Sequence, residues 1–324
     1  MTSPSVALSA PPRGGLAKAF LNLTAAPSIP ALLFTMLLIG PTMRGHYYVA
    51  IGAVLLVAAY RLLPRNDHRV FVIYILGFAI FNGIRNLADN TGFAVNYTYP
   101  IDIDAAMFGA VPTSWLQDHL YEPGRLTALD WASALIYSSY FWAQFVVAGL
   151  IWAFRRQLLE RFVGVTLVTL VIGVAFYAVL PTAPPWLAAE TGDLPQTARI
   201  SWLVLSDVWT NSYSQGTHIV GPNDVAAMPS LHTALSVVIA MAAWRTGRLI
   251  GLLGWSYAFA MAFVLVYVGE HYVIDAIAGA AAAVFAWRFV ARLEQRSSIT
   301  VAEPAAAGSS ALAAERERPL KEAA

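Results

Sequence analysis

FVGVTLVTLVIGVAFYAVL, residues 162–180, decides the fold. It has no charged side chain, follows Arg161 directly and stops at Pro181. Coiled as an α-helix at ~1.5 Å per residue, it spans most of the ~30 Å hydrocarbon core of a bilayer. Working outward, comparable apolar blocks fall at 27–43, 47–63, 70–88, 130–153, 229–244, 249–268 and 271–290. The expected fold is therefore all-α, a polytopic membrane bundle of about eight helices. Composition agrees: only 12% of the residues are charged, whereas soluble domains carry roughly 25%. That density leaves too few charges to wet a globular surface of this size.

The flanking segments read differently. Residues 1–26 are expected to be disordered or weakly ordered, and 27–66 to hold two accessory membrane helices. Residues 296–324 read as a disordered or weakly helical tail. No removable signal peptide is expected. The chain has no cysteine, so disulfides and thiolate metal sites are excluded. The net charge of +1 offers no basic stripe for nucleic acid.

Basic residues set the expected orientation. Arg61, Arg65, Arg69, Arg155, Arg156, Arg161, Arg245, Arg248, Arg288, Arg292 and Arg296 all fall on one side of the helix order. Arg44, Arg85, Arg125 and Arg199 fall on the other. By the positive-inside rule both termini are cytoplasmic and the long segments 89–129 and 181–228 face outward. Within the first, Met107–Leu120 reads as an amphipathic piece along the interface, with Trp115 at headgroup level.

Ionisable residues in or at the ends of membrane helices are costly, so each is a functional candidate. Arg85, His232, His271 and Asp275 all lie at expected exterior helix ends. In Ala227-Met228-Pro229-Ser230-Leu231-His232, the proline suits the first helical position. The free N–H groups that follow, Leu231 among them, form an anion cradle reinforced by the helix dipole. Ser230 adds a hydroxyl donor, or simply caps the helix. His271 and Asp275 stand at i and i+4, where a carboxylate fixes an imidazole tautomer and frees the other nitrogen to attack. The same spacing also suits a structural pair, or with His232 a metal site. Arg85 suits a two-pronged phosphate clamp, or a tie to Asp89 four residues on. Leu180-Pro181-Thr182-Ala183-Pro184-Pro185-Trp186 ends a helix and places Trp186 as an interfacial anchor.

Pro229-Ser230-x-His232, followed by Gly269-x-His271-Tyr272-x-x-Asp275, resembles motifs two and three of the type 2 phosphatidic acid phosphatase superfamily. The Leu180–Trp186 segment narrows the resemblance to the inositol phosphorylceramide synthase and inositolphosphotransferase-like branch. The resemblance implies a six-helix core over 67–295. It implies that His271 attacks phosphorus and becomes phosphohistidine, that Asp275 supports it, and that His232 protonates the leaving alcohol. The chain also departs from the superfamily pattern. Gly173 and Leu180 stand where motif one has its two cations, Leu231 where motif two has glycine, and Leu265 where motif three has arginine. Arg85 is the best replacement, with Ser230 and Leu231 completing the phosphate-binding set.

The resulting expectation is a multi-pass membrane phosphotransferase with its site on the exterior face, acting on a lipid phosphate or phospholipid head group. The acceptor is an alcohol such as inositol or a sugar; with water the enzyme is a lipid phosphatase. The scheme calls for no metal or other cofactor. A transporter is the rival from another class, since intramembrane His, Asp and Arg also mark ion pathways.

Overall fold

A computed structural model describes residues 45–85, 88, 92–208 and 223–317. The first expected membrane helix, 27–43, and Asp89 lie outside the described residues. Within them the chain is helical, with only isolated bridges and no strand.

The helices are α1 (Gly45–Leu62), α2 (Asp67–Arg85), α3 (Tyr99–Phe108), α4 (Pro112–Leu120), α5 (Ala128–Phe154), α6 (Leu159–Val179), α7 (Pro185–Thr191), α8 (Ile200–Val208), α9 (Leu231–Trp244), α10 (Arg248–Tyr267) and α11 (Val273–Glu317). Five stretches are long and apolar enough to cross a membrane: Asp67–Arg85, Ala128–Phe154, Arg156–Val179, Arg248–Tyr267 and Val273–Arg296. Val49–Leu62 and Leu231–Trp244 are shorter apolar helices. The bundle wears its apolar residues outside: Leu135, Leu249 and Phe259 are 69%, 72% and 70% exposed. Water would penalise such a surface and lipid does not, so the chain is an integral membrane protein. The helix of α11 continues through Pro304 and Gly308 to Glu317, across the tail that reads as disordered or weakly helical.

The bundle is built around α9, which packs on α5, α6, α10 and α11. This helix is buried on nearly every side. Close approach to α10 depends on small residues. A Cβ on Gly254 would sit 2.9 Å from the Ala240 Cα, so the two helix backbones nearly touch. At 14 residues, α9 is about 21 Å long, shorter than the hydrocarbon core. Its N-terminal end is buried, with Ser230 and Leu231 0% and 2% exposed.

Ion pairs fasten the opposite end. Arg156 from the turn before α6 pairs with Asp67 at the start of α2, and Trp152 Nε1 donates to the same carboxylate at 2.8 Å. Arg161 of α6 pairs with Glu294 of α11. These residues sit at the ends of α2, α5 and α6, and of the apolar stretch Val273–Arg296 of α11, remote from Arg85, His271 and Asp275.

Two short helices cover the site end. The expected single interfacial piece at Met107–Leu120 is broken: α3 stops at Gly109, whose φ is 78°, and Pro112 starts α4. A turn residue in the left-handed region and a proline at a helix start together prevent one continuous helix. Trp115 is 53% exposed, on the outer side of α4. Gln117, from the buried side of α4, donates to Ala198 O and Tyr267 O, both at 2.9 Å, and accepts from Ala198 N–H at 2.8 Å.

Candidate active site

Three extended pieces of chain lie side by side at the head of the bundle. Thr182, in the proline-rich segment after α6, bridges Asn96 on one side and Ala226 on the other. Asn96 N–H donates to Pro181 O, Ala183 N–H to Asn96 O, and Thr182 N–H to Val225 O. The prolines end α6 and leave Thr182 extended, so its remaining polar groups pair sideways. This positions the 223–230 segment that leads into α9.

The entry to α9 differs from the expected one. Ser230, not Pro229, borders the helix: it is the N-cap, its hydroxyl accepts from Thr233 N–H at 3.3 Å, and Leu231 is the first helical residue. Proline lacks the N–H but also lacks a capping oxygen, so the serine takes the cap and the proline moves outside it. Ser230 is fully buried.

The entry to α11 differs too. His271 and Tyr272 precede the helix, which starts at Val273, so His271 and Asp275 do not share one helical face. They are still adjacent, with His271 Nδ1 lying 3.4 Å from Asp275 Oδ2. That is longer than a good hydrogen bond, and Oδ2 is already accepting Tyr272 N–H at 2.9 Å. Ser230 N–H donates to Asp275 O at 3.0 Å, tying the two helix entries together.

The four nominated side chains converge. The imidazole rings of His232 and His271 are 5.6 Å apart, centre to centre. His232 stacks against Tyr137 at 5.1 Å and lies tilted against Tyr140 at 4.0 Å. The charge of Arg85 reaches His232, Tyr140 and Tyr177. Asn223 holds the Arg85 carbonyl at 2.8 Å. Each of the four carries a buried polar atom without a hydrogen-bond partner: His232 Nε2, His271 Nδ1, Asp275 Oδ1 and Arg85 Nε. Such atoms cost roughly 1–3 kcal/mol each when nothing satisfies them, and four of them lie on the nominated residues. Among the described residues no group of three His, Cys, Asp or Glu side chains is arranged to hold a metal ion.

Leu231 and Gly173 fit each other. A Cβ on Gly173 would lie 2.6 Å from Leu231 Cδ1, so the leucine fills the space that a side chain at 173 would need. Leu231 is itself 2% exposed, so its side chain is packed into the bundle. Leu265, at another expected cation position, is fully buried in the core.

A second cation went unread in the sequence. Arg199 makes a two-pronged pair with Glu270, at 2.9 and 3.3 Å, and Ser201 Oγ donates to the same carboxylate at 2.6 Å. The guanidinium lies 4.2 Å from the Trp186 ring centre and 5.3 Å from that of Trp202. Burial works against its charge, but the neighbouring Glu270 outweighs it and the Arg199 pKa is raised. Trp186, expected as an interfacial anchor, is instead 8% exposed beneath this pair. Its backbone N–H donates to Gly269 O at 3.1 Å. Gly269 has φ 81°, and a Cβ there would meet Ala198 O at 2.7 Å, so the turn before His271 requires glycine.

The sequence pattern of the PAP2 superfamily matches residues 102–289. The chain is also similar to a Bacteroides thetaiotaomicron protein named phosphoinositol dihydroceramide synthase. The two are 28% identical over 289 residues, covering 80% of this chain and 87% of that protein. No solved structure matches the chain.

Proposed function

We propose that this chain, which belongs to the PAP2 superfamily and so is an enzyme of the phosphatase and phosphotransferase type, is a phosphotransferase that moves a phospholipid head group through a phosphohistidine. The observation that carries the reading is the convergence of His232, His271, Asp275 and Arg85, each with a buried unpaired atom.

Asp275 beside Nδ1 favours the tautomer with its proton there, which leaves the Nε2 lone pair of His271 to attack phosphorus. The N–P bond forms as the bond to the leaving alcohol breaks, and His232 gives that oxygen its proton. An acceptor hydroxyl then attacks phosphorus, His232 takes its proton, and the N–P bond breaks. Arg85, with the Leu231 N–H at the head of α9, steadies the equatorial oxygens.

Charge favours a phosphodiester donor. Leucines stand at 180 and 265 and glycine at 173, where the family pattern has cations, and Glu270 neutralises Arg199. Arg85 pairs with no carboxylate among the described residues. One such cation balances the single negative charge of a diester better than the double charge of a monoester. Similarity to the Bacteroides protein supports phosphoinositol as the group moved and a ceramide-type alcohol as acceptor. The basic residues at the far end support a cytoplasmic position for that end and an exterior one for the site.

The test uses purified protein in detergent, phosphatidylinositol labelled in its inositol ring, and dihydroceramide. Label moving to a second lipid, with diacylglycerol released, is the expected result. Label appearing only as free inositol phosphate would make water the acceptor and the enzyme a hydrolase. No consumption of phosphatidylinositol, alongside phosphate release from phosphatidic acid, would overturn the diester reading.

A further inference from the structure

The helix carrying Asp275 begins without a local cap. Its N-cap position is Tyr272, which has no side-chain oxygen able to reach back to the first turn. Two of the free N–H groups of that turn are nevertheless satisfied from elsewhere. Asp104 of α3, far away in sequence, accepts Val273 N–H on Oδ2 at 2.8 Å and Ile274 N–H on Oδ1 at 3.0 Å. Asp104 is fully buried. Burial pushes its carboxyl up, while the two backbone donors hold it down. Asp275 makes the remaining bond of the turn, accepting Tyr272 N–H on Oδ2. One helix N-terminus is thus shared by two carboxylates.

From this arrangement we infer that Asp104 is a positioning residue: it occupies the N-terminus of α11 so that the Asp275 carboxylate stays beside His271. The inference rests on the reading of His271 and Asp275 given above. A helix N-terminus attracts any nearby carboxylate, through its free N–H groups and its dipole. Asp275 is the nearest alternative, and its Oδ1 has no partner. Without Asp104, the Val273 and Ile274 N–H groups would be buried donors with nothing to bond. Asp275 would turn toward them and away from the imidazole 3.4 Å off. The hydrogen bonds of Asp104 go to the backbone of α11. Asp104 acts through Asp275, and α3, one of the short helices over the site end, delivers it.

The test compares wild type, Asp104→Asn, Asp275→Asn and the double variant in the phosphatidylinositol assay, with His271→Ala as control. Asparagine can accept only one of the two N–H groups and carries no charge. Asp104→Asn is expected to lower kcat by ~10- to ~100-fold, the scale of a misplaced catalytic group, with KM within about twofold. In the Asp275→Asn background the same change is expected to cost less than about threefold, because residues that act through one another are not additive. Wild-type kcat in Asp104→Asn, or full additivity with Asp275→Asn, overturns the inference. A rescue arm guards against misfolding. Val273→Pro deletes one of the two donors and suits the first helical position, so Asp104→Asn/Val273→Pro should regain part of the lost kcat. A double variant no better than Asp104→Asn counts against the inference. Wild-type activity in His271→Ala or Asp275→Asn would instead bring down the reading on which it rests.

Discussion

Arg85 closes α2 with its Nε buried and unpaired, and the charge it brings has to replace cations that Gly173, Leu180 and Leu265 do not supply. A two-pronged guanidinium contact to phosphate is worth about 1.5–3 kcal/mol. Arg85→Ala is therefore expected to lower kcat/KM by roughly 10- to 100-fold or more. Arg85→Lys should recover only part, because lysine keeps the charge and loses the fork. Near wild-type turnover in Arg85→Ala would show that another group holds the phosphate. His232 sits between Tyr140 and His271 with Nε2 unpaired. As the proton carrier it should contribute ~100- to 10,000-fold, so His232→Ala should slow both formation and consumption of the phosphoenzyme. A pre-steady-state burst with an unchanged second phase would contradict that role.

At the scale of elements, the Gly173 contact with Leu231 is testable. A methyl at 173 would overlap the leucine, and forcing extra atoms into a packed core costs typically ~1–3 kcal/mol. Gly173→Ala should lower the unfolding temperature, and Leu231→Ala in the same chain should return part of the loss. Equal losses that simply add would contradict direct packing. The helices themselves were legible in the sequence, because uncharged runs such as 162–180 have no stable place except lipid or a core. The histidines and Arg85 were legible because ionisable residues near membrane helices are rare. What escaped was non-local. Asp104 caps a helix that begins far downstream, and no local signal links it to Val273. Arg199 reads as one more loop cation until folding sets it against Glu270 and Trp186. The helix start at 273 was hidden for the same reason: with the Val273 and Ile274 donors capped from α3, the position before the helix is Tyr272, which is no N-cap residue to mark where the coil ends.

For the whole molecule, the two ends of the bundle have different chemistry. One is fastened by Arg156 with Asp67 and by Arg161 with Glu294; the other holds the histidines beneath α3, α4 and α7. The proposed orientation puts the arginine-rich end in the cytoplasm. Because the chain has no cysteine, single cysteines report cleanly: Gln157→Cys should react with an impermeant thiol reagent only after the membrane is opened, and Gln196→Cys from outside intact cells. Reaction of both from outside would contradict the orientation. The central claim is that group transfer by this molecule passes through a covalent bond to His271. The most direct measurement is to quench the enzyme seconds after adding phosphatidylinositol labelled at phosphorus and in the inositol ring, then examine the protein. The account predicts acid-labile, base-stable label of both kinds on His271, absent from His271→Ala and lost when dihydroceramide is added. Turnover without labelled protein, or label that persists in His271→Ala, would contradict it.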